Sequence, residues 1–260
     1  MSSRAITSLA NPTVKAVRAL HMRRARAESG LFLVEGLRSV IEAVDQGRQP
    51  VTLLHGPAVA SHPLMRKASA ASRETLEVSE AILAKISRRE NPQMVLGVFE
   101  QTLTPLEALD PSSAPCWVAL ENVRDPGNLG TILRTADAAG CGGVILVGEC
   151  CDPYSVEAVR ATMGSIFATP ITETSAREFL AWRANWPGAV IGTHLEASAD
   201  FRRSPYRSPN LLLMGNEQAG LSADLAAACD LTVKIPMKGR ADSLNLAVAT
   251  AIMIYAVTAP

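Results

Sequence analysis

Aromatic residues and long apolar runs are scarce in this sequence. Of its 260 residues only 4% are aromatic, although 48% are hydrophobic. The longest apolar runs fall far short of the ~20 residues that a membrane-spanning helix needs. The N-terminus lacks the continuous apolar stretch of a signal peptide. The sequence therefore predicts a folded protein with an ample core, no membrane segment and a cytoplasmic location.

Residues that bind metals or activate nucleophiles are also few. None of the four histidines pairs with another at metal-ligand spacing, so we expect no metal site. The five cysteines are odd in number and form no CxxC pair, which is typical of reduced, mostly buried cytosolic thiols. Neither a GxGxxG loop nor a GxxxxGK loop followed by Ser or Thr is present, which disfavours an unrelated nucleotide-binding α/β enzyme.

Charge is balanced overall but unevenly distributed. The chain carries 25 Lys and Arg against 25 Asp and Glu, a formal net charge of zero. Residues 1–100 hold 14 basic and 9 acidic residues, whereas residues 101–260 hold 11 and 16. A basic segment joined to an acidic body is typical of proteins that bind nucleic acid through one module, but a solvated helix face explains the same charges equally well.

The pattern of apolar residues predicts two α/β domains. Residues 1–101 begin with a basic helical stretch at 5–27 and continue as alternating strands and helices. Residues 102–115 contain three prolines and little periodicity, so we expect a linker there. Residues 116–260 alternate apolar strands with helices, which predicts a parallel sheet covered by helices on both faces.

Three loops of the second predicted domain follow strands and carry clustered polar residues. Ligands of open parallel sheets bind beyond the carboxyl ends of the strands. The first loop, ENVRDPGNLGTILRTADAAG (121–140), predicts a tight Pro-Gly-Asn turn with Arg134 near the start of the following helix. The second is MGNEQAGLS (214–222), and the third is IPMKGRADSLNLAVATA (235–251), where Ser243 is the expected helix N-cap. Taken singly, an ordinary turn, a surface arginine and a helix cap also explain these residues.

Together the three loops resemble the three sequence motifs of the SpoU-type RNA ribose 2′-O-methyltransferases, which belong to the SPOUT (α/β-knot) superfamily. Motif one is similar to residues 122–130 with Arg134, motif two to residues 215–217, and motif three to residues 235–237 with 243–245. The segment AVRATMGSIFATP (158–170) is similar to the stretch that connects motifs one and two. The resemblance spans residues 117–257.

The resemblance implies a methyltransferase that uses S-adenosyl-L-methionine to methylate a ribose 2′-hydroxyl. It also implies a deep trefoil knot that holds the cofactor, and a homodimer with the site near the subunit interface. Arg134 then acts either as a base or as an electrostatic stabiliser of the alkoxide. For His194 we favour a buried, structural residue over a contact with the cofactor or substrate. The other implied catalytic residues are Asn122, Glu217, Ser243 and Asn245. The implied cofactor contacts are Thr193, Gly215, Asn216, Ile235, Met237 and Leu244.

Many members of this family carry a small α/β/α domain, similar to RNA-binding ribosomal proteins, ahead of the catalytic domain. Residues 6–44 resemble the start of that domain, so we expect structured RNA as the partner, with ribosomal RNA ahead of transfer RNA. A transfer RNA methyltransferase and a non-catalytic RNA-binding assembly protein of the same fold are the alternatives. Glu157 stands where relatives often have a lysine. The implied RNA contacts are Arg18, Arg23, Arg24, Arg26, Arg124 and Arg160.

Overall fold

The chain divides into two compact units. The structure is a computed structural model and describes residues 4–6, 8–194 and 197–258. Among these residues, the first unit takes in the chain as far as Gln101 together with Asp152–Phe167. The second unit takes in Thr102–Cys151 and the chain from Ala168 onwards.

The secondary structure follows the predicted alternation of strands and helices. As far as Gln101, the elements are β1 (Arg4–Ile6), α1 (Pro12–Ala19), α2 (Arg23–Ser29), β2 (Leu31–Glu35), α3 (Leu37–Asp45), β3 (Thr52–His55), α4 (Pro63–Ala71), β4 (Glu74–Val78), α5 (Glu80–Ser87) and β5 (Val95–Glu100). From Thr102 they are β6 (Cys116–Glu121), α6 (Pro126–Ala138), β7 (Val144–Val147), α7 (Val156–Thr162), β8 (Ile171–Thr174), α8 (Ala176–Arg183), β9 (Val190–Thr193), β10 (Ala199–Asp200), β11 (Asn210–Met214), α9 (Ala223–Ala227), β12 (Leu231–Lys234) and α10 (Leu246–Thr258).

The first unit is built on a mixed sheet. Its described strands lie in the order β1-β4-β3-β5-β2, and β5 runs antiparallel to both of its neighbours. The core packs apolar residues of α1 and α5 onto this sheet, among them Val14, Val17, Ile82 and Leu83. α1 begins at Pro12 because Asn11 caps it, its side-chain oxygen accepting the N–H of Thr13 at 2.9 Å.

Asp152–Phe167, called the inserted segment below, lies between β7 and β8 in the sequence but completes the first unit. Val156 joins the apolar core, and the ring of Tyr154 lies 4.7 Å from that of Phe32. Asp152 accepts hydrogen bonds from Arg26 at 2.6 and 2.9 Å, and Glu35 accepts them from Arg160 at 2.7 and 2.8 Å. The predicted domain ranges did not anticipate this insertion. Each predicted domain is one continuous stretch of residues, so it cannot include a segment from another part of the chain.

The second unit is built on a parallel sheet, as predicted. Its described strands lie in the order β10-β12-β9-β11-β6-β7-β8, and every pair of neighbours is parallel. β6, β7 and β11 are buried along their whole length, which is the property of strands covered on both faces. The predicted α/β fold with a parallel C-terminal sheet is confirmed, whereas the knot stays a prediction.

Two local predictions in the second unit are wrong. Residues 126–128 do not form a separate turn: α6 begins at Pro126, since the Asp125 side chain accepts the N–H of Asn128 at 2.6 Å. Ser243 is not the cap of α10. Asn245 takes that place, because its amide oxygen accepts the N–H groups of Ala247 and Val248.

The expected linker at 102–115 packs within the second unit. Thr104 exchanges hydrogen bonds with β8: its N–H donates to the carbonyl of Ile171, and its carbonyl accepts the hydroxyl of Thr172, both at 2.8 Å. Leu109 is buried in the core of this unit. Pro105 and Pro111 stand at the starts of two short 3-10 turns (Leu106–Ala108 and Pro111–Ser113), and the segment stays packed in the second unit.

Candidate active site

Four neighbouring strands of the second unit end at the same edge of the sheet. β12, β9, β11 and β6 are adjacent and parallel, so their carboxyl ends and the loops that follow them lie together. These loops contain all three motifs identified in the sequence. The parallel topology therefore brings together residues that lie up to 117 positions apart in the chain.

A cavity of about 430 Å³ opens at this edge and is called the cofactor cavity below. All six residues expected to contact the cofactor line it, as do two of the expected catalytic residues, Glu217 and Ser243. Its wall is mainly apolar, with polar groups among the residues after β9 and β11. The lining residues are Thr193, His194, Met214, Gly215, Asn216, Glu217, Gln218, Ala219, Gly220, Val233, Lys234, Ile235, Met237, Ser243, Leu244, Leu246 and Ala249.

A glycine-dependent turn forms one side of the cofactor cavity. The backbones of Asn216 and Gly220 are bonded to each other in both directions, at 3.1 and 2.9 Å. A Cβ atom on Gly215 would lie 2.1 Å from the carbonyl carbon of Gly220 and 2.2 Å from the nitrogen of Leu221. Because backbone atoms cannot move aside cheaply, only glycine at position 215 permits the turn to close.

A chain of side-chain hydrogen bonds joins the three motifs. Asn128 donates to the Glu217 carboxylate at 2.9 Å, and its amide oxygen accepts a hydrogen bond from Asn245 at 2.9 Å. Glu217 and Asn245 are among the expected site residues. Asn128 lies within motif one but was not assigned a role, and its place in that motif was the signal that its side chain belongs to the site.

Asn122 shapes the loop between β6 and α6. It adopts φ 50°, a left-handed conformation that asparagine tolerates better than most residues. Its side-chain oxygen accepts the N–H of Glu149 at 2.8 Å, and its carbonyl accepts the side-chain amide of Asn216 at 2.9 Å. These bonds give Asn122 a positioning role for the turn that carries Gly215.

The two adjacent cysteines support the same loop. The N–H of Cys151 donates to the carbonyl of Val123 at 2.8 Å. The Cys150 thiol is buried and contacts the carbonyl of Leu120, and burial raises its pKa. All five cysteines are free, but only Cys116 and Cys150 are fully buried, so the expectation of mostly buried thiols is met in part.

Arg134 stands apart from the cofactor cavity of its own chain. It lies on an exposed face two turns into α6 and does not line the cavity, so the predicted position near the helix start is wrong. The reason is that α6 begins at Pro126, whereas the sequence pattern predicts that the helix begins four residues later, at Gly130. Arg134 has no ion-pair or hydrogen-bond partner among the described residues. His194 is exposed and lines the cavity, which corrects its expected burial.

The expected RNA-binding arginines have different environments. Arg26 is only 3% exposed and is bonded to Asp152 and to the carbonyl of Leu20, so its prediction as an RNA contact is wrong. The physical reason is that it faces the inserted segment and not solvent. Arg160 is half-buried and is held by the buried carboxylate of Glu35, and its assignment as an RNA contact stays a prediction.

The other four expected contacts are exposed. Arg24 pairs with Glu28 and Arg124 with Glu149, with the arginine side chains 88% and 63% exposed. Arg18 and Arg23 are exposed without an ion pair among the described residues. All four side chains are exposed to solvent, and their assignment as RNA contacts stays a prediction.

The site and fold agree with a known family of enzymes. The model of the SpoU rRNA Methylase family matches residues 115–255, and the model of the MRM3-like substrate binding domain matches residues 11–97. The first match covers more than half of the chain. The chain therefore belongs to the SpoU rRNA methylase family.

Individual relatives resemble the chain over nearly its whole length. The 23S rRNA (uridine(2479)-2′-O)-methyltransferase of Streptomyces viridochromogenes is 34% identical over 90% of this chain and 84% of its own length. The 23S rRNA (guanosine(2553)-2′-O)-methyltransferase RlmP of Bacillus subtilis is 32% identical, covering 96% of this chain and 97% of its own. The crystal structure of an AdoMet-bound rRNA methyltransferase from Sinorhizobium meliloti superposes with a TM-score of 0.91 at 48% identity, covering 98% of this chain and 97% of that one.

Two further features are absent from the part of the chain that the structure describes. None of its helices combines the length and apolar character needed to cross a membrane. Its His, Cys, Asp and Glu side chains form no group of three or more that would hold a metal ion.

Proposed function

We propose that the chain transfers the methyl group of S-adenosylmethionine to a ribose 2′-hydroxyl of ribosomal RNA. The observation that carries this proposal is the cofactor cavity, lined by Glu217, which the Asn128 bridge links to Asn245. The names of the Streptomyces and Bacillus relatives support ribosomal RNA as the substrate, since both describe 2′-O-methylation of 23S rRNA.

The cofactor cavity suits S-adenosylmethionine in size and chemistry. Its volume of about 430 Å³ lies within the range of ~300–1,000 Å³ that is usual for small-ligand sites. Ile235, Met237 and Leu244 offer apolar surface to a flat ring, and Thr193 and Gln218 offer polar groups to hydroxyl or amine functions. When bound, the cofactor supplies a methyl group activated on a sulfonium sulfur.

In the proposed reaction, the protein orients a ribose hydroxyl and stabilises its developing negative charge. Positioning contributes much of the acceleration of such a two-reactant step. Asn128 holds the Glu217 carboxylate in one orientation, so that Glu217 and Ser243 orient groups at the cavity. We assign Arg134 to the alkoxide as an electrostatic stabiliser, since guanidinium groups stay protonated in proteins.

A homodimer explains how Arg134 serves a cavity that it does not line. α10 carries no charged residue, yet its side chains Val248 and Tyr255 are 49% and 57% exposed. Their spacing of seven residues places them on one helix face, with the half-buried Ile252 between them. α10 packs against α6, which carries Arg134. We propose that a second subunit covers this apolar face, so that the complete site forms near the interface between the two subunits.

The trefoil knot, the cytoplasmic location and RNA capture by the first unit also form part of the proposal. The likeness to solved SpoU methyltransferases supports a trefoil knot around the loops that follow β9, β11 and β12. A ribosomal RNA substrate supports a cytoplasmic location. The match of residues 11–97 to a substrate binding domain supports RNA capture by the first unit.

Methyl transfer tests the proposal directly. Purified protein is incubated with labelled S-adenosylmethionine and, separately, with unmodified ribosomal RNA transcripts and bulk transfer RNA. We expect label in ribose of ribosomal RNA, and a loss of at least ~100-fold in the Arg134→Ala variant. Arg177→Ala removes another exposed arginine of the same unit and is expected to keep wild-type activity.

Three results contradict parts of the proposal. Binding of ribosomal RNA without transfer to any RNA indicates a non-catalytic assembly protein. Label in transfer RNA alone refutes the substrate class. A monomer in sedimentation equilibrium at working concentration, with full activity, refutes the role of a second subunit.

A further inference from the structure

A second cavity, of about 330 Å³, lies within the first unit and is called the basic cavity below. It is bounded by the β2–α3 junction, by residues 89 and 93 after α5, and by the inserted segment from α7 to Phe167. It shares no lining residue with the cofactor cavity. Its lining residues are Val34, Glu35, Gly36, Leu37, Arg38, Ser39, Arg89, Gln93, Val159, Arg160, Met163, Gly164, Ile166 and Phe167.

The walls of the basic cavity are held firmly together. Arg160 makes two hydrogen bonds to Glu35 and a third to the carbonyl of Ser87 at 3.2 Å, and Glu35 is 3% exposed at its side chain. On the other side, a Cβ atom on Gly164 would lie 2.0 Å from the Glu42 carboxylate. The inserted segment therefore lies directly against α3, and the cavity is a built feature of the unit.

The charge of the basic cavity favours an anion. Its lining contains three arginines and one acidic residue, Glu35. Arg160 pairs with Glu35 and neutralises its charge. Arg38 contacts Glu42 at 3.1 Å but keeps 87% of its side chain exposed, and an exposed pair of this kind is weak. Arg89 is exposed and has no ion-pair partner among the described residues. Two cations thus remain available to a phosphate.

The rest of the lining suits a nucleobase. Phe167 packs with Phe99 at a ring distance of 4.9 Å and, with Ile166 and Val159, provides apolar surface. Met163 is 53% exposed although it is apolar, and the Gln93 amide offers both a donor and an acceptor. Unpaired bases of RNA are bound by this combination of apolar surface, hydrogen bonds and nearby arginine.

We propose that the basic cavity binds one unpaired nucleotide of the RNA substrate, with its phosphate at Arg38 and Arg89 and its base against Met163 and Phe167. This inference rests on the proposed function for the identity of the RNA.

A binding measurement separates the basic cavity from general surface charge. The probe is unmodified 23S ribosomal RNA transcribed in vitro, and the variant is Arg38→Glu combined with Arg89→Glu in the full chain. We expect the Kd for RNA to rise about tenfold or more and the salt dependence to weaken by about two phosphate contacts. The Kd for S-adenosylmethionine stays at the wild-type value.

The matched control is Arg66→Glu combined with Lys85→Glu, which makes the same charge change on exposed basic residues outside the basic cavity. Equal losses of RNA affinity in the two double variants overturn the proposal, because they indicate a diffuse electrostatic effect. An unchanged RNA Kd in the cavity variant also overturns it.

Photocrosslinking of wild-type protein keeps the inference testable if a variant folds poorly. With 4-thiouridine in the RNA, we expect crosslinked peptides that contain Met163 or Phe167, and crosslinks confined to other peptides refute the proposal. Neither experiment needs turnover, so a failure of methyl transfer bears on the proposed function alone.

Discussion

The two units use their polar side chains in different ways. In the second unit, amides and carboxylates on loops bond to one another at the edge of a parallel sheet, as Asn128 does with Glu217 and Asn245. In the first unit, the strong polar contacts are buried or half-buried ion pairs, Arg26 with Asp152 and Arg160 with Glu35. Both ion pairs tie the inserted segment to the rest of that unit. Polar residues on strand-end loops thus line the candidate active site, whereas the buried pairs of the first unit hold its segments together.

The sharpest test of the loop-built site is Gly215→Ala. The added Cβ collides with the backbone of Gly220 and Leu221, so we expect the turn to open and the affinity for S-adenosylmethionine to fall by about 100-fold or more. Gly239→Ala is the control, since a Cβ there meets nothing within 4 Å. Calorimetric titration measures both variants, and equal affinities refute the assigned role of the turn.

The buried pairs of the first unit are tested by Asp152→Ala. This variant leaves Arg26 buried without its partner, and we expect a loss of about 3 kcal/mol in the free energy of unfolding. Glu28→Ala breaks the exposed pair with Arg24 and is expected to cost less than ~0.5 kcal/mol. Urea denaturation compares the two, and similar losses contradict the distinction drawn between assembly contacts and surface charges.

Asn128→Ala tests the bridge between the motifs. Removal of the amide frees Glu217 and Asn245, so we expect the rate of methyl transfer to fall about tenfold, as for the loss of one or two hydrogen bonds. Thr131→Ala, which removes a hydroxyl bonded to Gly127 on the same helix, is the control. A kcat equal to that of the control indicates that the bridge has no role in the reaction.

A separate test of the second unit concerns the reactivity of Cys229. Burial raises the pKa of its thiol to about 11, from 9.0. Since only the thiolate reacts, the alkylation rate at pH 8 should lie roughly 100-fold below that of the unfolded chain and rise as the pH approaches 11. Mass spectrometry after iodoacetamide treatment measures it, and rapid labelling at pH 8 shows that the thiol is not protected.

Much of the second unit was predictable because its chemistry is local in sequence. Parallel strands are continuous apolar runs, so β6, β7 and β11 were recognisable in the sequence. The motifs directly follow β6, β11 and β12. Because parallel strands end at the same edge of a sheet, the residues of the motifs come together at that edge. Ser243 and Arg134 were misplaced along their helices, because side-chain caps at Asn245 and Asp125 fix the helix starts.

The first unit was less predictable, since its charged residues gave no sign of burial. Arg23, Arg24 and Arg26 are neighbours in one helix, yet only Arg26 is buried. Helical periodicity turns it away from the other two, and its partner Asp152 lies 126 positions further along the chain. No pattern within residues 1–101 identifies that partner.

The sequence by itself determined the alternation of strands and helices, the parallel sheet and the residues of the three motifs, because these depend on apolar periodicity and on residues next to strand ends. Only the tertiary structure decided which charges are paired. It also decided that Asp152–Phe167 packs in the first unit and that Asn128 joins Glu217 to Asn245. Pairing of charges and docking of a segment are fixed by distances in space between residues far apart in the chain, and local sequence carries no measure of those distances.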